Sequence, residues 1–226
     1  MKRRKKARIT INQRNRILIC IAVVVVVLVG IVAIVRGIHK RNLSAFEQVE
    51  QEGFVYTDQP DMDIDLLTPN EYSRPQIALD KVKGVVVHYT ANPGSSAKQN
   101  RDYFEGLKDS HITKASAHFV IGIDGEIVQC IPTAEIAYAS NSRNQDTVAI
   151  ECCHPDKTGK FTDATYQSLI RLTAFLLGKF DLTTDDVIRH YDITGKNCPK
   201  YFVENESAWI DFKEDVNQFI LENGET

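Results

Sequence analysis

The stretch GVVVHYTANP, residues 84–93, limits the fold more than any other. Val85, Val86 and Val87 stand between a glycine and a proline-terminated turn, with no polar residue alternating among them. Branching at Cβ stiffens a side chain and suits it to strands. An apolar run without a period of two has to be covered on both faces. The chain is therefore expected to build a sheet with a layer on each side, around a strand that ends on His88.

The segments that follow supply those layers. SSAKQNRDYFEGL offers a serine N-cap and helical spacing of Tyr103, Phe104 and Leu107. SAHFVIGIDGEIVQCIP reads as two strands folded at Asp124-Gly125, a dipeptide that favours hairpin turns. DTVAIECC and DVIRH read as further short strands. Thr162 caps a helix that buries Tyr166, Leu169, Ile170, Leu176, Leu177 and Phe180, and the last helix buries Trp209, Phe212, Val216, Phe219 and Ile220. Strands and helices alternate, which predicts a mixed sheet flanked by helices.

The N-terminus differs in character. Eight of the 27 basic residues fall within residues 1–16, which hold no acid, and residues 17–35 carry no charge. Nineteen residues at ~1.5 Å each match a hydrocarbon core of roughly 30 Å. A cleaved signal peptide is the alternative, but its apolar part is normally shorter. The expected organisation is a basic cytoplasmic tail (1–16), a transmembrane helix (17–35), an extracytoplasmic stalk (36–68) with a short helix near 44–51, and a catalytic domain (69–223). The charge asymmetry across the span puts the N-terminus in the cytoplasm and the domain outside, at the cell membrane. Beyond the tail, nineteen basic residues face thirty acidic ones. Such a surface excludes nucleic acid as a partner.

His88 and His190 each close a short apolar strand, and Cys198 follows a glycine-containing turn that could return its thiol toward His190. A catalytic zinc takes three such ligands and keeps one position open. The same residues also read as two satisfied structural histidines and a core cysteine, since no short spacing joins His88 to the other two. Glu151, in VAIECC, is costly to bury unless paired or functional. Lys196, in TGKNCP, reads by itself as a solvated turn residue. Cys130, Cys152 and Cys153 read as small buried hydrophobes, Asp192 as a structural turn residue, and His39, His111 and His154 as solvated loop residues.

VVVHYTAN, SAHFVIGIDGEIVQCIP, YASNSRNQDTVAIECCHPD and VIRHYDITGKNCP, in this order and at these separations, resemble the zinc-dependent N-acetylmuramoyl-L-alanine amidases of the second amidase type. The resemblance spans roughly residues 69–223, including the NEYSRP lead-in. It implies the α/β fold shared with peptidoglycan recognition proteins and phage lysozyme-type amidases: a mixed central sheet flanked by helices, here preceded by a single transmembrane helix. It implies zinc on His88, His190 and Cys198, with catalytic roles for Glu151 and Lys196. His118 is implied to lie close to the site; some relatives carry a tyrosine just before it, where this chain has Ala117. YASNSRNQD resembles a groove wall, so Asn141 and Arg143 join His118 as candidate substrate contacts. The implied activity is membrane-anchored cleavage of the amide between N-acetylmuramic acid and the L-alanine of the peptidoglycan stem peptide. The rival is a recognition module that binds muropeptides without cutting them. Such modules typically lose a metal ligand, so Cys198 and Glu151 argue for the enzyme.

Overall fold

Val85–Tyr89 forms the strand that the valine run demands, and it lies in the interior of a six-stranded sheet. A computed structural model describes residues 13–41 and 57–225, which fall in two units, Met1–Leu43 and Ser44–Thr226. In the second unit the strands are β1 (Asp63–Ile64), β2 (Val85–Tyr89), β3 (Phe119–Ile121), β4 (Ile127–Gln129), β5 (Val148–Cys152) and β6 (Val187–Arg189), in the order β1-β4-β3-β5-β2-β6. Strands β3 and β4 pair antiparallel; β2 runs parallel to both β5 and β6, and β3 parallel to β5. The predicted hairpin turn is present, with Gly125 at φ 87°, a conformation that favours glycine.

Two apolar layers cover the sheet. Val85, Val87, Val148 and Ile150 pack with residues of two long helices, Leu169, Leu176 and Leu177 from Asp163–Phe180 and Trp209 and Phe212 from Glu206–Asn223. Ala149, Val120 and Val128 pack on the other side with Phe104 and Leu107 from the helix Ala97–Ser110. Neighbouring residues of β5 thus feed opposite cores, which explains an apolar run without alternation.

The helix ends follow the sequence. Ser96 forms a capping box with Gln99, and Thr162 accepts a hydrogen bond from the Thr165 N–H. Of the aromatic residues expected on buried faces, Tyr166, Phe180 and Phe219 are only partly covered, and Tyr103 is exposed. The lead-in wraps the sheet edge: the Leu67 and Leu79 N–H groups donate to the Cys130 and Ala134 carbonyls, and Arg74 makes a paired hydrogen bond with Glu135. Strand β1 already pairs with β4, so this unit's ordered structure starts upstream of residue 69.

The first unit contains the helix Gln13–Arg41. Among the described residues, however, no helix is long and apolar enough to cross a membrane. This corrects the expected transmembrane helix over residues 17–35, and the single-pass cell-membrane location drawn from it loses its basis. Residues 1–12, the short helix near 44–51 with the rest of stalk residues 42–56, and the His39 side chain lie outside the described residues.

Candidate active site

Strand register assembles the first part of the site. His88 pairs with Glu151 of β5, and on its other side β2 pairs with β6 up to Val87 opposite Arg189. The next step in that register sets His88 beside His190. Glu151, His88 and His190 therefore form a row across the carboxyl ends of three parallel strands, where open α/β sheets usually place their ligands. The two imidazole centroids are 4.7 Å apart.

His190 does not close its strand, as the sequence suggested, but opens the short helix His190–Thr194. Asp192 fixes that start by accepting from the Arg189 N–H at 2.8 Å and pairing with its guanidinium. Gly195 ends the helix at φ 73°, and the chain folds back so that the Tyr191 N–H donates to the Cys198 carbonyl at 2.9 Å. This return carries Cys198 Sγ to 3.8 Å from His88 Nδ1. One ligand atom each from His88, His190 and Cys198 lies within 4.8 Å of the others, and all three residues are buried. The three candidate ligands thus converge, although sequence spacing alone did not unite them.

The outer nitrogens of both rings meet one loop. His88 Nε2 lies 3.3 Å from Ser140 Oγ, and His190 Nε2 lies 2.8 Å from Asn141 Oδ1. Burial, more than the neighbouring charges of His190 and Lys196, holds the His88 pKa well below its usual value. Burial and then Lys196 lower that of His190 as well. Both rings are thereby kept neutral, the form that binds metal. The Cys198 thiol is pushed up to about 12, chiefly by burial and then by Glu151, while the Tyr89 backbone N–H and Lys196 act in the opposite sense.

Glu151 is partly exposed as a residue, yet its Oε2 is buried and makes no hydrogen bond. Burial raises its pKa to about 8, against a lowering by Lys196. Lys196 itself is exposed, and its charge acts on His88, Glu151, His190 and Cys198 together. An unpartnered buried carboxyl beside a His/His/Cys cluster is a costly arrangement, of the kind found where a group must accept a proton.

The other candidates are placed differently. His118 is 1% exposed, its Nδ1 accepts from the Ala149 N–H at 3.0 Å, and its Nε2 meets the Glu135 carbonyl at 2.9 Å. Both ring nitrogens are committed to backbone, so the ring ties β5 to the 131–136 segment. Arg143 is paired with Asp146 at 2.6 Å, and Asn141 is turned toward His190. His154 is buried against Tyr89 and so is not a solvated loop residue, whereas His111 is exposed, as expected, and stacks on Tyr72. Cys130, Cys152 and Cys153 are buried and unbridged, as expected.

His118 carries a stability prediction. Burial lowers its pKa from 6.5 to about 4, so the unfolded chain binds the proton more readily. The contribution is complete above about pH 6.5 and is lost as pH falls toward 4, amounting to about 3 kcal/mol across that range. Denaturant unfolding of His118→Gln should therefore show a shallower acid-side decline than the unchanged chain. Parallel declines would remove His118 as the source.

Known proteins place this geometry. The N-acetylmuramoyl-L-alanine amidase family model matches residues 78–201. The N-acetylmuramoyl-L-alanine amidase CwlL of Bacillus licheniformis is 35% identical over 164 residues, covering 67% of this chain and 45% of that protein. BlyA, an N-acetylmuramoyl-L-alanine amidase of Bacillus subtilis, is 35% identical over 168 residues, covering 65% and 44%. The chain thus spans less than half the length of these curated relatives. The solved catalytic domain of XlyA superimposes with a TM-score of 0.60 at 26% identity, covering 70% of this chain and 99% of that domain. The matched segment contains His88, Glu151, His190, Lys196 and Cys198 and spans more than half the sequence, and on that match the chain belongs to the N-acetylmuramoyl-L-alanine amidase family.

Proposed function

We propose that the domain over residues 69–223 hydrolyses the amide between N-acetylmuramic acid and the L-alanine of the peptidoglycan stem peptide, with a zinc ion held by His88, His190 and Cys198. The reading rests above all on the convergence of these three buried side chains beside the unpartnered carboxyl of Glu151. The donor set fits zinc. A tetrahedral ion ~2.3 Å from sulfur and ~2.0–2.1 Å from nitrogen sets those atoms ~3.6 Å apart, and His88 Nδ1 and Cys198 Sγ stand at 3.8 Å. One imidazole, another imidazole and a thiol leave a fourth position for solvent or substrate.

A peptide-like amide resists water because its carbonyl is a weak electrophile and its nitrogen a poor leaving group. Zinc, when bound, polarises a carbonyl and lowers the pKa of water from about 15.7 toward ~7. The remaining work falls to the protein. Glu151 Oε2 has no competing donor, and its ionised carboxylate, favoured by the positive charge of Lys196 and of a bound zinc, would accept the proton of the attacking water and deliver it to the departing alanine nitrogen. Lys196 sets positive charge beside the oxyanion that forms as the carbonyl carbon becomes tetrahedral. Neutral His88 and His190 keep their lone pairs for the metal, and the buried Cys198 thiol gives up its proton on metal binding.

Lys196→Met should lower kcat by ~10²–10³ with KM nearly unchanged, because its charge is needed only as the oxyanion develops. Steady-state kinetics on muropeptides checks this, and an unaltered kcat removes the lysine from the mechanism. The function itself is tested by incubating the chain with purified peptidoglycan and identifying newly exposed amino groups. The reading requires N-terminal alanine. Binding without any release of alanine would favour the recognition module.

A further inference from the structure

We infer that the turn at residues 139–144 is a positioning element that fixes the tautomer and orientation of both histidines, with Asn141 as its principal residue. The inference rests on the metal-site reading above. Two ring contacts come from adjacent residues of one short segment: Ser140 Oγ at 3.3 Å from His88 Nε2, and Asn141 Oδ1 at 2.8 Å from His190 Nε2. An amide oxygen can only accept, so the His190 proton resides on Nε2 and its lone pair on Nδ1. His88 shows the same polarity, since its Nδ1 is the atom that faces Cys198 Sγ.

The turn is built to hold that arrangement. Asn144 Oδ1 accepts from the N–H groups of Ala139 and Ser140 at 3.1 and 2.6 Å. The Arg143 N–H donates to the Ser140 carbonyl at 2.9 Å, and the Thr147 hydroxyl donates to the Arg143 carbonyl at 2.7 Å. Asn141 adopts φ 51°, a left-handed conformation that asparagine tolerates better than most residues. This conformation accompanies the turning of its amide toward His190. Ser140 is 1% exposed, so its contact with His88 is shielded from solvent. A side chain buried against a ligand's far nitrogen acts on the metal through that ligand.

The test uses the full chain with Asn141→Gly and Asn141→Asp. Glycine accepts the left-handed backbone while removing the acceptor, and aspartate restores an acceptor. Zinc affinity is read by competition with a chromophoric chelator, and the tautomer by long-range proton–nitrogen NMR correlations of the imidazoles in the metal-free protein. Asn141→Gly should weaken zinc binding by about 10–100-fold and convert the His190 signals from a single Nε2–H form to a mixture. Asn141→Asp should recover both. Unchanged affinity and tautomer in the glycine variant would overturn the inference while leaving the metal site standing, as would an aspartate variant no better than glycine. If the unchanged chain binds no zinc, the metal-site reading fails and this inference falls with it.

Discussion

Glu151→Gln is expected to lower the rate of alanine release from peptidoglycan by ~10²–10⁴-fold while leaving zinc content and KM in place. Glutamine has nearly the volume of glutamate and fills the same position opposite His88, but it cannot take a proton from water. The same substitution should stabilise the metal-free chain. Burial holds the Glu151 pKa at about 8 against its ordinary 4.5, so the folded metal-free state retains a proton that the unfolded state has lost. Stability contributed by this group accordingly declines as pH rises from about 4.5 to about 8. The glutamine variant should gain on the parent across that interval, as read by denaturant unfolding at several pH values. A variant that loses activity and stability together would instead point to a structural role for the carboxylate.

Cys198→Ala and His88→Gln should each abolish high-affinity zinc binding, with hydrolysis falling toward background. Loss of a direct ligand must exceed the ~10–100-fold expected for a residue that supports one. His88 is 2% exposed and Cys198 2% exposed, so neither can be replaced by a nearby solvent-facing donor. Metal analysis of the purified variants, set beside their turnover, checks both effects. The Cys198 variant has a further use. The thiol is pushed up to about 12 without metal, so zinc uptake by the parent should release a proton from Cys198, and calorimetry in buffers of different ionisation enthalpy should show its loss in Cys198→Ala. Zinc retained at parental stoichiometry in either variant would mean that the ligands lie elsewhere.

Much of the sheet was legible because its strands obey local rules. Val85–Val87 is apolar without alternation in a sheet whose strands, as β5 shows, send neighbouring residues into different cores, and Asp124-Gly125 marks the hairpin by its backbone preference. The helix caps at Ser96 and Thr162 were legible for the same reason. The site was legible only in part. His88, Glu151 and His190 share a row that strand register creates, and register between parallel strands separated by long crossovers leaves no short-range signature. The resemblance to a family supplied that information.

What the sequence left undistinguished has physical causes too. Asn141 and His118 look alike to a sequence reader, as polar residues near a groove. One turns its amide to His190 and the other spends both ring nitrogens on backbone, distinctions set by hydrogen-bond geometry. Ser140 and Asn144 gave no signal beyond turn composition, yet they hold the segment against both histidines. At the N-terminus, hydropathy of residues 17–35 suggested a span, whereas among the described residues no helix is long and apolar enough to cross a membrane.

The most direct test of the central claim is the rate at which metal-stripped chain frees N-terminal alanine from purified peptidoglycan, before and after stoichiometric zinc is restored. The account predicts no release from the stripped protein and recovery on zinc addition, dependent on His88, His190 and Cys198. Undiminished release by the stripped protein would contradict it.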